Sequence, residues 1–469
     1  MTIPPVSPQA VKAKWPRIVL LSGIIAAAVA AAAPSASAQN LPLIRDTEIE
    51  NVLNDYARPL FKAAGFGSGR IKMRIVQNDA FNAFVLDGKN VFVHTGTLMQ
   101  ANTPNEVIGV IAHETGHITG GHMAALRARI AKDQTRSLLA QILGIGLIVA
   151  GGVAGGDSAS GLGGAGQGVL FGGNEVIMRS LLAERRQQES AADQAGLTLL
   201  NATQQSGRGM LTTFERFAAQ EYISDAQKDA FARSHPLSTD RLARLRKLVE
   251  TSPYYGNKDT PELQLRHDLM RAKLSGYLEK PQTVFNRYPE SDQTLPARYA
   301  RALARFFMGG PGALEAALAD VDGLIAARPN NPYFWEVKGD LLMRAGRNRE
   351  AIPSLRQAIK LDPNASLIRV QLAGALQEDS NPAAVNESVA LLRKSLIDDE
   401  NSRAFRLLAN SYYKQGKQPE ADAMIAQAYF LEGDLKQAQL FAKRAQKMLR
   451  SGTPEWLKND DIINYKPQT

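Results

Sequence analysis

The sequence predicts a mainly α-helical chain in two parts: an α+β domain with a small sheet, followed by an α-solenoid of tetratricopeptide (TPR) repeats. Three observations carry this. Two short runs of branched residues, "IKMRIV" (71–76) and "NVFVHTG" (90–96), lie between stretches of helical apolar periodicity. The second half repeats small and aromatic residues at a 34-residue period. Between them "AHETGH" (112–117) sits inside a first-half helix, the pattern of a zincin-type metal site. At 469 residues, 44% hydrophobic and 22% charged, the chain has room for two or three domains and is too polar for a many-helix membrane protein.

The first 38 residues stand apart. Lys12, Lys14 and Arg17 precede an apolar run from Ile18 to Ala33, and Ala36, Ser37 and Ala38 offer a small-residue cleavage site before Gln39, the layout of a secretory signal. Residues 1–38 are therefore read as a cleaved signal peptide and the mature chain as exported. Without those three basic residues the formal charge falls from +9 to +6, a mild excess that points to no nucleic-acid partner. Cysteine is absent, so any metal site must be built from histidine and carboxylate.

Residues 39–250 read as one domain. Ile44, Ile49, Val52, Leu53, Tyr56 and Leu60 recur near the helical period across residues 41–66. The two branched runs, separated by Asp87, Gly88 and neighbouring turn formers, read as strands. A helix starts from Thr103, with Pro104 suited to its first turn and Val107, Ile108, Ile111, Thr115 and Ile118 on one stripe. Ser137 to Gly156 is almost wholly apolar and runs into a glycine-rich stretch ending at Gly173. Residues 137–173 read as a lid over a cleft or as a loop touching a membrane surface through 137–156; the glycines argue against a spanning helix. Periodicity returns from Val176 to about Gln204, and "SHPLSTDRLARLRKL" (234–248) opens another helix with Ser238 as N-cap.

"TSPYYGNKDTP", residues 251–261, has the composition of a linker. Beyond it, over 262–450, Trp335, Gly339, Ala351, Ala358 and Pro363 take the spacing of a TPR unit, and Pro329 lies one period upstream. Ser388, Leu392 and Ser395, then Phe405, Tyr412, Ala421 and Ala428, then Tyr429, Ala438, Ala442 and Ala445 continue it. Stacked helix pairs present a concave groove, a protein-binding surface. Residues 451–469 read as a C-terminal tail.

His113 and His117 stand one turn apart on a helix, so both imidazoles leave the same face and can meet one tetrahedral cation, with Glu114 beside them to reach a water there. A catalytic zinc needs a third protein ligand, and "ESAADQAG" (189–196) offers Glu189 on a second helix, with Asp193 one turn on to hold a ligand histidine by its other nitrogen. His94, His122 and His267 read as surface or packing histidines.

"AHETGH", "ESAADQAG" and "SHPLSTDR", in that order, resemble the zinc metallopeptidase family that includes the CAAX prenyl protease, in its periplasmic branch with a TPR tail. The resemblance covers nearly the whole mature chain. It implies one zinc held by His113, His117 and Glu189, Glu114 as the water-activating base and Asp193 as support. It also implies that His235 can approach the metal and hold the enzyme latent, and that Arg241 faces the oxyanion. A Gram-negative periplasm is implied as the location. Implied partners are unfolded or misassembled outer-membrane proteins and the outer-membrane β-barrel assembly machinery, docked through the TPR groove.

The parts together predict a zinc endopeptidase of misassembled envelope proteins, in which strand residues Asn90–Val93 bind an extended peptide at the sheet edge. The competing reading is a TPR chaperone or adaptor whose peptidase half is latent. For His235 two roles stay open: a latch on the metal, or a stabiliser of the oxyanion.

Overall fold

The structure is a computed structural model and describes residues 41–133, 168–218, 229–378 and 381–467. The expected signal peptide and residues 137–167 of the expected lid lie outside the described residues. No helix among the described residues is long and apolar enough to cross a membrane.

The sheet has four strands, β1 (Leu43–Ile44), β2 (Lys72–Val76), β3 (Ala83–Val85) and β4 (Asn90–His94), in the order β1-β2-β4-β3. β2 pairs with β4 in parallel, while β1 on β2 and β3 on β4 are antiparallel. β2 and β4 are the two strands read from the sequence. This order corrects the expected peptide-binding edge: within Asn90–Val93, residues Val91–Val93 are paired on both sides, and the edge next to them is β3.

Helix α1 (Thr47–Ala63) is capped by the Asp46 side chain, which accepts from the Ile49 amide, and buries Ile49, Val52, Leu53, Tyr56 and Leu60. After β4 come α2 (Thr95–Gln100) and α3 (Pro104–Thr119), with Thr103 as N-cap and Pro104 in the first turn. Val107, Ile108, Val110, Ile111 and Ala112 are all buried, so α3 runs through the core rather than over it. It packs on α1, on α5 (Gly168–Ala202) and on α6 (Arg208–Ala218). The first turns of α5 fall at 168–173, where a glycine-rich loop was expected. Helix α4 (His122–Asp133) follows α3; α7 (Ala230–Ser234) and α8 (Thr239–Glu250), the latter capped by Ser238, close the domain.

The repeats begin with α9 (Pro261–Leu278) and continue through α10 (Pro281–Arg287), α11 (Leu295–Met308), α12 (Ala313–Ala327), α13 (Pro332–Arg344), α14 (Asn348–Leu361), α15 (Ser366–Gln377), α16 (Pro382–Asp398), α17 (Ser402–Lys414), α18 (Gln418–Leu431) and α19 (Leu435–Gln446). Ala351, Ala358, Ala421, Ala428, Ala438, Ala442 and Ala445 are fully buried between successive helices. The expected tail instead contains α20 (Pro454–Asn464), capped by Thr453, which packs on α18 and α19 through Ile462.

The expected linker does not hold two independent bodies apart. Met270 and Leu274 of α9 belong to the core of the first domain, while Leu269 and Ala272 of the same helix belong to the first repeat core. His267, a packing histidine as read, lies buried with Nδ1 3.0 Å from Tyr56 Oη and Nε2 3.0 Å from the Ala101 carbonyl. Lys273 on α9 sets its ammonium 2.7 Å from Asp46, 3.0 Å from Glu336 and 3.4 Å from Glu48. Tyr299 donates to Glu48, Asn51 donates to Tyr333 Oη, and Arg45 bonds Asp399 at the far end of α16. The solenoid is thus tied to α1 along several repeats.

Candidate metal centre

Two helices supply the centre, and their backbones touch there. A Cβ on Gly116, inside the "HETGH" motif, would lie 2.5 Å from the Ala192 carbonyl oxygen, so only a residue without a side chain lets α3 approach α5 this closely. That contact aims His113 and His117 from α3 at Glu189 and Asp193 from α5. The third contributor is the turn after α7, which carries His235.

His113 Nε2 lies 3.1 Å from His117 Nε2, 3.1 Å from His235 Nδ1 and 3.3 Å from Glu189 Oε2. Glu189 also comes within 3.5 Å of His117 Nε2 and 3.2 Å of His235 Nδ1. One donor atom from each of the four lies within 4.8 Å of all the others. Three imidazole nitrogens and a carboxylate facing one another at such distances away from water suit a divalent cation, and the set is of the nitrogen and oxygen type that zinc takes. Burial would raise the Glu189 carboxyl, but His235, His117 and Arg241 outweigh it and hold it well below its usual range. Burial would lower His113, yet its bonds to Asp193 and Glu189 carry it up to about 9.

Around these four, Asp193 Oδ1 stands 2.9 Å from His113 Nδ1. Glu114 is buried and pushed up to about 7 by that burial, against the pull of His117 and His113. Its Oε1 lies 3.2 Å from His235 Nε2, which is also 3.2 Å from the Ala83 carbonyl on β3.

The placement of Arg241 is a correction. It was expected to face the oxyanion, but it is buried with Nε and Nη2 donating to the two Asp193 oxygens at 2.6 and 2.7 Å. Its Nη1 donates to the Pro236 carbonyl and lies 3.1 Å from Glu189. With its guanidinium turned to these carboxylates and the Pro236 carbonyl, Arg241 holds them in place.

Sequence reading missed two contributors. Arg185 of α5 donates to the Arg233 and Ser234 carbonyls, at 3.0 and 2.5 Å, and so holds the turn that carries His235; bonds to carbonyls leave no trace in the partner's residue type. His122, read as a surface or packing residue, has its Nδ1 2.9 Å from His117 Nδ1.

Residues 44–249 match peptidase family M48, and residues 324–454 match the cytochrome c-type biogenesis protein H TPR domain. The chain is 24% identical to the beta-barrel assembly-enhancing protease of Escherichia coli (strain K12), over 91% of this chain and 85% of that protein. It is 23% identical to the protein of the same name from Yersinia pestis, over 90% and 84%. A shorter match, 31% identical over 35% of this chain and 57% of the other, is to the metalloprotease LoiP of Escherichia coli (strain K12). The chain is therefore a metalloendopeptidase in which a peptidase family M48 domain is joined to a C-terminal TPR domain, homologous to the beta-barrel assembly-enhancing proteases along nine-tenths of its length.

Proposed function

We propose that the protein is a periplasmic zinc endopeptidase that removes misassembled outer-membrane proteins, with its TPR groove docking them or the β-barrel assembly machinery. The convergence of His113, His117, Glu189 and His235 on one buried point carries this reading. The beta-barrel assembly relatives support the substrate class, and the leader-like residues 1–38 support export.

His113, His117 and Glu189 would hold the ion, with Asp193 orienting His113 and Arg241 orienting Asp193. A zinc held there would supply Lewis-acid polarisation of the scissile carbonyl and a more acidic water. Glu114, on the floor of the site and close to neutral in its affinity for a proton, accepts one from the attacking water and returns it to the leaving amine. Strand β3, whose outer edge has no partner strand among the described residues, adds an extended substrate as a further strand.

His235 decides between activity and latency. His235 Nδ1 stands among the donor atoms, so a zinc held there would have room for water only once that imidazole withdrew. This observation also supports a second reading, a TPR chaperone whose peptidase stays latent. The test is the mature protein assayed for zinc and for cleavage of an unfolded outer-membrane protein. About one zinc per chain is expected, and Glu114→Gln should keep it while slowing cleavage by about 10²- to 10⁴-fold. Undiminished turnover in Glu114→Gln would sink the mechanism; bound zinc with no cleavage, even after His235→Ala, would favour the chaperone.

A further inference from the structure

We propose that His122 is a positioning residue for the metal site: its Nδ1 accepts a hydrogen bond from His117 Nδ1–H and so fixes the tautomer and ring plane of that ligand. The inference rests on the reading of His113, His117 and Glu189 as zinc ligands.

A histidine that gives its Nε2 lone pair to a metal carries its proton on Nδ1, and that proton needs an acceptor; partners of this kind set ring orientation and ligand strength. For His113 the acceptor is Asp193, 2.9 Å away. For His117 it is His122, with the two Nδ1 atoms 2.9 Å apart and the ring planes at 80°. The two acceptors differ in kind. Glu114, Glu189 and Asp193 already place three carboxyl groups around the point, and His122 supplies the second acceptor, a ring nitrogen, without adding a fourth carboxyl.

The backbone is built to bring His122 there. Helix α3 ends at Gly120, and Gly121 at φ 63° turns the chain back through the left-handed region before α4 begins. Gly120 itself has ordinary helical angles, φ −74° and ψ −8°, so its lack of a side chain needs another explanation. A Cβ there would lie 2.4 Å from His122 Nε2, 2.8 Å from Cε1 and 2.9 Å from Cδ2. The imidazole lies across the bare Cα of Gly120, and any larger residue would swing it away from His117. The Gly-Gly pair therefore both turns the chain and seats the ring.

The test is the zinc dissociation constant of the mature chain, measured at fixed pH by competition with a chelating dye. His122→Ala and His122→Phe should bind zinc about 10- to 100-fold more weakly. His122→Asn should recover most of the loss, because its Oδ1 takes nearly the place of Nδ1 as an acceptor. Gly120→Ala should weaken zinc as His122→Ala does, while the zinc-free proteins melt together. If His122→Ala does not fold, the Phe and Asn variants decide. The proposal falls if His122→Ala binds zinc as wild type does, or if Phe restores affinity and Asn does not, since ring packing would then be the cause. Wild type without zinc would overturn the ligand reading and this one together; wild type with zinc and indifferent His122 variants overturns this one alone.

Discussion

Replacing Lys273 with methionine tests whether the two halves stand or fall together. The ammonium is buried and has three carboxylates within 3.4 Å, from Asp46 and Glu48 at the start of α1 and Glu336 on α13. Methionine fills much the same space but leaves Glu48 and Glu336 buried without a cation. Breaking a buried ion pair from one side costs about 3–5 kcal/mol, a large part of the roughly 5–15 kcal/mol that holds a folded domain. The loss should depend on pH in a definite direction. Burial, opposed by Lys273, already pushes Glu48 up to about 7 from an ordinary 4.5. Between those values the folded chain binds a proton that the unfolded chain does not, so stability falls as pH rises through the window. Without Lys273 the carboxyls shift further up, so the variant's deficit should be smaller near pH 5.5 and fullest near pH 8. Urea unfolding of the chain from Gln39 onward, which lacks Trp15, followed by circular dichroism and by Trp335 emission in a Trp456→Phe background, reads both halves. A deficit under about 1 kcal/mol, or one equal at the two pH values, would refute the argument, as would a Trp335 transition that moves without the dichroic one.

Two further outcomes follow from the packing. A chain ended at Gly256 should fail to accumulate as soluble, cooperatively melting protein, because it lacks Met270, Leu274 and the buried His267, each large core deletion costing about 2–5 kcal/mol; ending at Tyr288 should restore folding, and equal melting of the two fragments would show that α9 is dispensable. Gly116→Val should cost about 1–3 kcal/mol by forcing α3 from α5 and should weaken zinc by parting the histidines from Glu189, whereas unchanged melting and zinc binding would mean that the helices can part without cost.

Much of the centre could be read in advance because its spacings are those of helices. His113 with His117, and Glu189 with Asp193, are each four apart, and a helical turn turns that number into a shared face. What spacing could not supply was where a side chain goes once the helices pack. Arg241 was expected at the oxyanion, but its position opposite Asp193 depends on how α8 crosses α5. His122 lies five residues from His117, off the helical face, and becomes a neighbour only because Gly121 turns the chain back. The sheet shows the same limit. β2 and β4 have enough branched residues to show a period, whereas β1 has two residues and β3 three, and strand order cannot be read from either. The stretch 251–261 shows a related limit: composition marks where the chain turns, while Met270 and Leu274 carry no label saying which core they join.

The sharing of α9 also bears on how such a molecule can be rebuilt. Where two units meet at a loop, one can be exchanged without redesigning the other. Here the junction is a helix with one face in each core, so its sequence answers to two sets of neighbours at once. A graft of foreign repeats onto this peptidase would have to begin after α9 and keep Lys273 supplied with the acids it meets, and the incoming first repeat would have to accept Leu269 and Ala272 as they stand.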